Sequence, residues 1–141
     1  MPVEISRVEP EAVEEFARRN EREALRALYN FNVVWHEQRH DFAAKDGNEL
    51  AGVATIRIAA SLAHVERLVV LADRRRAGVG RALLAQAADV ANYYNCHKMS
   101  VLVPHRSTAQ EFLEKCGYKE EAVLPQHTFK LDVAVMRKFL L

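Results

Sequence analysis

The stretch Val69-Val70-Leu71-Ala72-Asp73-Arg74-Arg75-Arg76-Ala77-Gly78-Val79-Gly80-Arg81 runs from an apolar segment, through a basic loop, into a helical pattern. That helix, Gly80 to Asn92, carries Leu83, Leu84, Ala87, Ala88 and Ala91 along one face, a stripe suited to packing on a sheet. The segment before it, Ala63 to Leu71, is the strongest strand pattern in the chain. A helix N-terminus offers amides with no intrahelical partner and the positive end of the helix dipole, and glycine lets backbone approach an anion closely. Gly78 and Gly80 supply that access, so the loop reads either as a phosphate site or as a solvated basic turn. Two other glycine motifs fail here: the dinucleotide fingerprint needs a small residue where Leu83 stands, and the Walker loop needs Gly-Lys-Ser/Thr.

The elements on either side extend this unit. Lys98 to Val103 reads as a strand that completes a βαβ unit, which requires a parallel pair and a right-handed crossover. Upstream, Asp46-Gly47-Asn48 between Asp41–Lys45 and Glu49–Ile58 predicts a hairpin. Downstream, Ser107 is placed to cap a short helix that ends at Cys116, with Gly117 as its left-handed terminator. Tyr118 to Val123 and Phe129 to Phe139 then form a closing strand pair, the last of them an exposed edge able to support a homodimer. At the other end, Val3 to Val8 reads as an opening strand, and Pro10 suits the first turn of one or two helices over Glu11 to Leu28. The expected architecture is a mixed α/β sandwich in one domain, residues 1–141.

Composition narrows the function. Twenty Lys plus Arg against 19 Asp plus Glu leave a net charge of +1, so no long-range field favours nucleic acid or an anionic membrane. No apolar run approaches the ~18 residues of a membrane span and no leader pattern opens the chain, which makes the cytoplasm the expected compartment. Cys96 and Cys116 lack metal-ligand spacing and read as small buried hydrophobes.

Arg75-x-x-Gly78-x-Gly80, following Glu66-Arg67-Leu68-Val69-Val70, resembles motif A of the GNAT N-acetyltransferases. The resemblance continues through Phe112-Leu113-Glu114-Lys115-Cys116-Gly117-Tyr118 and through Met136-Arg137-Lys138, covering roughly residues 49 to 140. His64-Val65-Glu66 and Glu114-Lys115-Cys116-Gly117 look most like glucosamine-6-phosphate acetyltransferases, whereas Leu124-Pro125-Gln126-His127 is similar to small bacterial members. The resemblance implies a mixed sheet with helices on both faces and a splayed parallel strand pair that forms an acyl-CoA cleft. It implies acetyl-CoA as cosubstrate, no metal, and an acceptor that is a small-molecule amine or a peptide N-terminus. Backbone of Leu68, Val69 and Val70 would pair with the pantetheine arm as an added strand. The loop Arg75, Arg76, Ala77, Gly78, Val79, Gly80 and Arg81 would hold the pyrophosphate, with Arg76 and Arg81 adding charge and Arg106 a further phosphate contact.

Acetyl transfer to an amine proceeds through a tetrahedral intermediate and needs a base, an oxyanion donor and a route for the departing thiol. A backbone N–H near Leu68 to Val70 is the economical oxyanion donor. Glu66 is the candidate base or substrate carboxylate, with His64 a second candidate, and the two-residue strand period faces it with His64, Leu68 and Val70. Family members commonly carry a Tyr acid where Leu113 stands and an Asn where Arg106 stands, so Tyr118, Cys116 or water takes up the acid's role here. The missing Tyr also leaves open a fold that binds acetyl-CoA without turning it over, as a sensor. A more remote alternative is zinc hydrolysis through His36-Glu37-x-x-His40, which requires that segment to be helical.

Overall fold

The computed structural model describes residues 2–75 and 77–140. Its chain divides into two compact units, one up to Trp35 and one from His36 onward.

The first unit contains one helix, α1 (Pro10–Tyr29). Pro10 opens it where its missing N–H costs nothing, Arg19 pairs with Glu15 one turn earlier at 2.8 Å, and left-handed Asn30 closes it by donating its N–H to the Arg26 carbonyl at 2.8 Å. Val3 to Val8 forms no strand. A strand is defined by its partner's hydrogen bonds, and every rung of the sheet lies beyond residue 37.

The second unit is a six-stranded mixed sheet made of β1 (Gln38–Asp46), β2 (Glu49–Ala59), β3 (Leu62–Val70), β4 (Lys98–Pro104), β5 (Lys119–Leu124) and β6 (Val133–Phe139), in the spatial order β1-β2-β3-β4-β6-β5. The β1–β2 hairpin turns at Gly47, whose φ of +65° favours glycine. Helix α2 (Val79–Tyr93) crosses from β3 to β4, and these two strands are parallel, as the βαβ pattern requires. Helix α3 (Thr108–Lys115) follows β4, with the Ser107 hydroxyl accepting the Gln110 amide at 3.2 Å. The closing strand starts later than its apolar pattern suggests, because Phe129 and Lys130 hold positive φ in a short 3-10 turn. Nor is it an edge: β6 lies between β4 and β5, and the free edges are β1 and β5.

One face of the sheet is apolar. Leu84, Ala87 and Ala91 of α2 and Leu113 of α3 join Ile56, Ala63, Val65, Met99, Val101, Ala134 and Met136 in a single core. Gly52 permits the α2 contact: a Cβ there would lie 3.0 Å from the Val69 carbonyl oxygen and 3.1 Å from Val79. The opposite face is polar from strand to strand. Arg39, Arg57, His64, Ser100 and Arg137 stand on consecutive rungs across it.

Candidate functional site

The sheet opens at its parallel pair. β3 and β4 are joined only over Leu62–Lys98, Ala63–Met99 and His64–Ser100, yet β3 continues to Val70 and β4 to Pro104. At the last rung, His64 Nδ1 and Ser100 Oγ are hydrogen-bonded at 2.9 Å, which ties the two strands where they diverge. The Leu71 amide donates to the Ala51 carbonyl at 2.9 Å, so by alternation the backbone groups of Val69 and Arg67 turn toward β2. Those of Leu68 and Val70 turn away from β2, into the opening. The Val70 carbonyl there accepts Arg75 Nε at 3.3 Å.

The N-terminus of α2 lies at the wide end of this opening. Gly78, its N-cap, has φ +82° and open space where a Cβ would be, so backbone conformation selects glycine there. The first helical bond is Ala82 N–H to the Gly78 carbonyl at 3.0 Å, and no side chain caps the helix. Among the described residues, the amides of Val79, Gly80 and Arg81 have no protein acceptor. Gly80 serves packing, since its Cβ would lie 3.0 Å from Phe112 Cζ of α3. The loop's arginines have separate tasks. Arg74 ties the loop to the hairpin through Asp46 and, at 3.5 Å, Glu49. Arg81 donates to the Lys115 carbonyl at the end of α3 at 3.0 Å, an attachment that competes with phosphate for its guanidinium. Arg76 lies outside the described residues. Arg106, at φ +60°, donates its amide to Gln110 Oε1 at 2.7 Å and so belongs to the α3 cap.

Glu66 sits in a β-bulge. Val65 pairs with Ile56 and Arg67 with Thr55, which leaves Glu66 as the extra residue. The bulge overturns the expected two-residue alternation: Ala63, Val65 and then Leu68 belong to the core, while His64, Glu66 and Arg67 share the polar face. Glu66 Oε1 lies 2.9 Å from Arg57 Nη1, and Arg57 also reaches Glu37 at 3.6 Å. Burial pushes the His64 imidazole below its ordinary value, nearby Arg57 pushes the same way and Glu66 opposes it, so the ring is neutral at pH 7. Beside the bulge, Arg39, Thr55, Glu66 and Arg67 line a cavity of ≈ 300 Å³. A larger one of ≈ 520 Å³ lies between β1 and α2, where only Asp41 among its lining residues ionises.

The expected acid is placed elsewhere. Tyr118 is buried and its hydroxyl points at Met99 Sδ, 3.6 Å away, inside the core. Burial, with a smaller contribution from Cys116, pushes its phenol up to about 12. Leu113, in the family's Tyr position, is itself a core residue. Burial likewise pushes the Cys116 thiol up. The histidine motif fails its own requirement, since His40 lies on β1 and His36 and Glu37 precede it in non-helical chain. Among the described residues no group of three or more His, Cys, Asp or Glu could hold a metal.

Sequence reasoning missed Gly52, Arg57 and Ser100. Gly52 lay inside a continuous strand pattern with no turn signal, while Arg57 and Ser100 act only through partners on other strands.

The sequence model of the acetyltransferase (GNAT) family matches residues 5–118. No curated protein matches the chain. Among solved structures, an acetyltransferase from Bacillus cereus superposes with a TM-score of 0.78 at 19% identity, covering 98% of both chains. The ribosomal-protein-S18-alanine N-acetyltransferase of Escherichia coli gives 0.64 at 19% identity over 96% of this chain and 92% of its own. An aminoglycoside 6'-N-acetyltransferase complexed with coenzyme A gives 0.64 at 20% identity over 73% of each chain. These identities carry the fold, and the family match carries membership: this chain belongs to the GNAT acetyltransferases.

Proposed function

We propose that this protein is one acetyltransferase domain, cytoplasmic, that moves the acetyl group of acetyl-CoA onto a primary amine of a small molecule or peptide N-terminus. The observation that carries this reading is the juxtaposition of an opened β3 edge with an uncapped α2 N-terminus. An extended diamide arm fits the first as an added strand, and a pyrophosphate fits the second. The amides of Val79, Gly80 and Arg81, with Gly78 and Ala77 before them, would hold the phosphates, and Leu68 and Val70 would bond the arm. Val69 shapes the slot, Arg75 flanks it, and Arg106 lies at the start of α3.

Acetyl-CoA supplies the acetyl group as a thioester. The transfer forms an N–C bond and breaks the C–S bond, and of the two protons lost by the ammonium, one ends on sulfur and one in solvent. Glu66, directly or through a water, takes up the amine's proton on the polar face. A backbone N–H of Leu68 or Val70 stabilises charge on the acyl oxygen without a side chain. Tyr118 is oriented toward Met99, so water protonates the sulfur or the thiolate leaves unaided; its ordinary pKa of about 8.5 permits this.

Amine-dependent release of free thiol from acetyl-CoA tests the proposal. Leu113 and the inward Tyr118 also support a second reading, an acetyl-CoA-binding sensor without turnover. Stabilisation by acetyl-CoA with no thiol release across a broad amine panel would favour the sensor, and acetyl-CoA without effect would remove both readings.

A further inference from the structure

The bulge on β3 places two successive side chains of opposite charge, Glu66 and Arg67, on the same side of the sheet and in the wall of one cavity. The remaining charges on this wall are already matched. Glu66 is countered by Arg57 at 2.9 Å, and Arg39 by Asp41 at 3.4 Å. Asp41 is fixed further by the Thr55 hydroxyl, which donates to it at 2.6 Å. Arg67 has no carboxylate within ion-pair distance among the described residues.

Arg67 is thus the guanidinium of this wall with no hydrogen-bonded carboxylate. It lies close enough to Asp41 to help the Thr55 hydroxyl and Arg39 hold that carboxyl below its ordinary value, but Asp41 is already engaged by those two partners. A polycationic acceptor would add positive charge next to Arg67 and Arg39, and a simple amine would leave Arg67 unmatched. A molecule with both charges satisfies the wall at both ends, because a guanidinium fork matches a carboxylate or phosphate with parallel donors. The volume of ≈ 300 Å³ is at the small end for ligand sites, which suits a compact metabolite better than a folded peptide end.

We propose that the acceptor is a small zwitterionic amine, a primary amine joined within a few bonds to a carboxylate or phosphate, whose anionic group is held by Arg67 beside Arg39 and whose amine lies toward Glu66. The proposal takes the acetyl-transfer reading above as its basis, and its test separates the two.

Binding is measured directly, by calorimetry on the full chain saturated with coenzyme A. The titrants are free amino acids and aminoalkyl phosphates, each compared with its methyl ester or with the parent amine. At least one zwitterion is expected to bind about tenfold or more tightly than its matched compound, the margin of a hydrogen-bonded charge. Arg67→Gln is expected to bring the zwitterion down to the level of the ester, and Arg67→Lys to retain part of the difference. The carboxylate and phosphate arms identify which anion is used. Equal binding of esters and zwitterions, an unchanged preference in Arg67→Gln, or no zwitterion binding to a protein that still binds acetyl-CoA each overturns the proposal. Thiol release is read separately. Zwitterion binding that depends on Arg67 but gives no thiol supports this pocket while counting against acetyl transfer. Brisk transfer to amines lacking an anion, indifferent to Arg67→Gln, leaves acetyl transfer standing and removes the zwitterion.

Discussion

Arg57 Nη1 lies 2.9 Å from Glu66 Oε1, joining β2 to the one residue of β3 that has no rung of its own. The pair fixes a carboxylate on the polar face beside the point where β3 and β4 separate. If Glu66 receives the amine's proton, Glu66→Gln should lower kcat by about 10²-fold, the usual contribution of a positioned base, and leave acetyl-CoA affinity unchanged. Steady-state kinetics with a separate acetyl-CoA titration checks this, and an unchanged kcat would assign proton uptake to another group.

His64 gives a prediction in pH. Its folded-state pKa is lowered, chiefly by burial, so the unfolded chain binds the proton more readily as pH falls through the ordinary value of 6.5. The stability contributed by neutral His64 is present above that value and is lost as pH falls toward the lower, folded-state value. Thermal melts at pH 7.5 and 5.5 should show a loss at the acid end that is smaller in His64→Gln. An identical loss in the variant would place the acid sensitivity elsewhere.

The glycines separate by cause. At Gly52 an added Cβ meets the Val69 carbonyl oxygen at 3.0 Å and Leu83 at 3.2 Å, groups fixed in the sheet and the core. Gly52→Ala should cost about 1–3 kcal/mol, the range for overpacking. Gly80→Ala meets the tip of the Phe112 ring at 3.0 Å and should be partly rescued by Phe112→Leu, whereas Gly52→Ala should not. Urea melts of Gly52→Ala, Gly80→Ala and Phe112→Leu, and of each alanine variant combined with Phe112→Leu, measure the ordering and the rescue.

Leu113 is 2% exposed, and the family's Tyr position therefore faces the core in this chain. Leu113→Tyr should not increase turnover and should destabilise by about 1–3 kcal/mol through overpacking, while Leu113→Ala should cost about 2–5 kcal/mol. A gain of activity in Leu113→Tyr would mean that this position reaches the thioester.

These residues also show where the sequence is legible. The hairpin at Gly47, the helix that follows Gly78 and the capped helix after Ser107 are all written locally, in turn residues and a helical stripe, and the structure carries each of them. The bulge at Glu66 is not written locally. Which residue of β3 is surplus depends on how Ile56 and Thr55 of β2 take up the register, and one surplus residue reverses every facing after it. The role of Arg81 depended on the Lys115 carbonyl 34 positions away, and that of Tyr118 on Met99, 19 positions away. A basic loop and a nearby phenol cannot announce such partners. Val3 to Val8 is the reverse case, an apolar pattern with no partner strand to make it β.

The account rests on the cleft between β3 and β4 and the uncapped α2 N-terminus, and the most direct measurement is the thermal stability of the full chain against acetyl-CoA concentration. At about 100 times its dissociation constant, a ligand that binds only the folded chain adds about 2.7 kcal/mol, a rise of several degrees in Tm for a chain of this size. The account predicts that rise, with coenzyme A giving most of it because the pyrophosphate and pantetheine arm are common to both. A Tm unmoved by millimolar acetyl-CoA would contradict it.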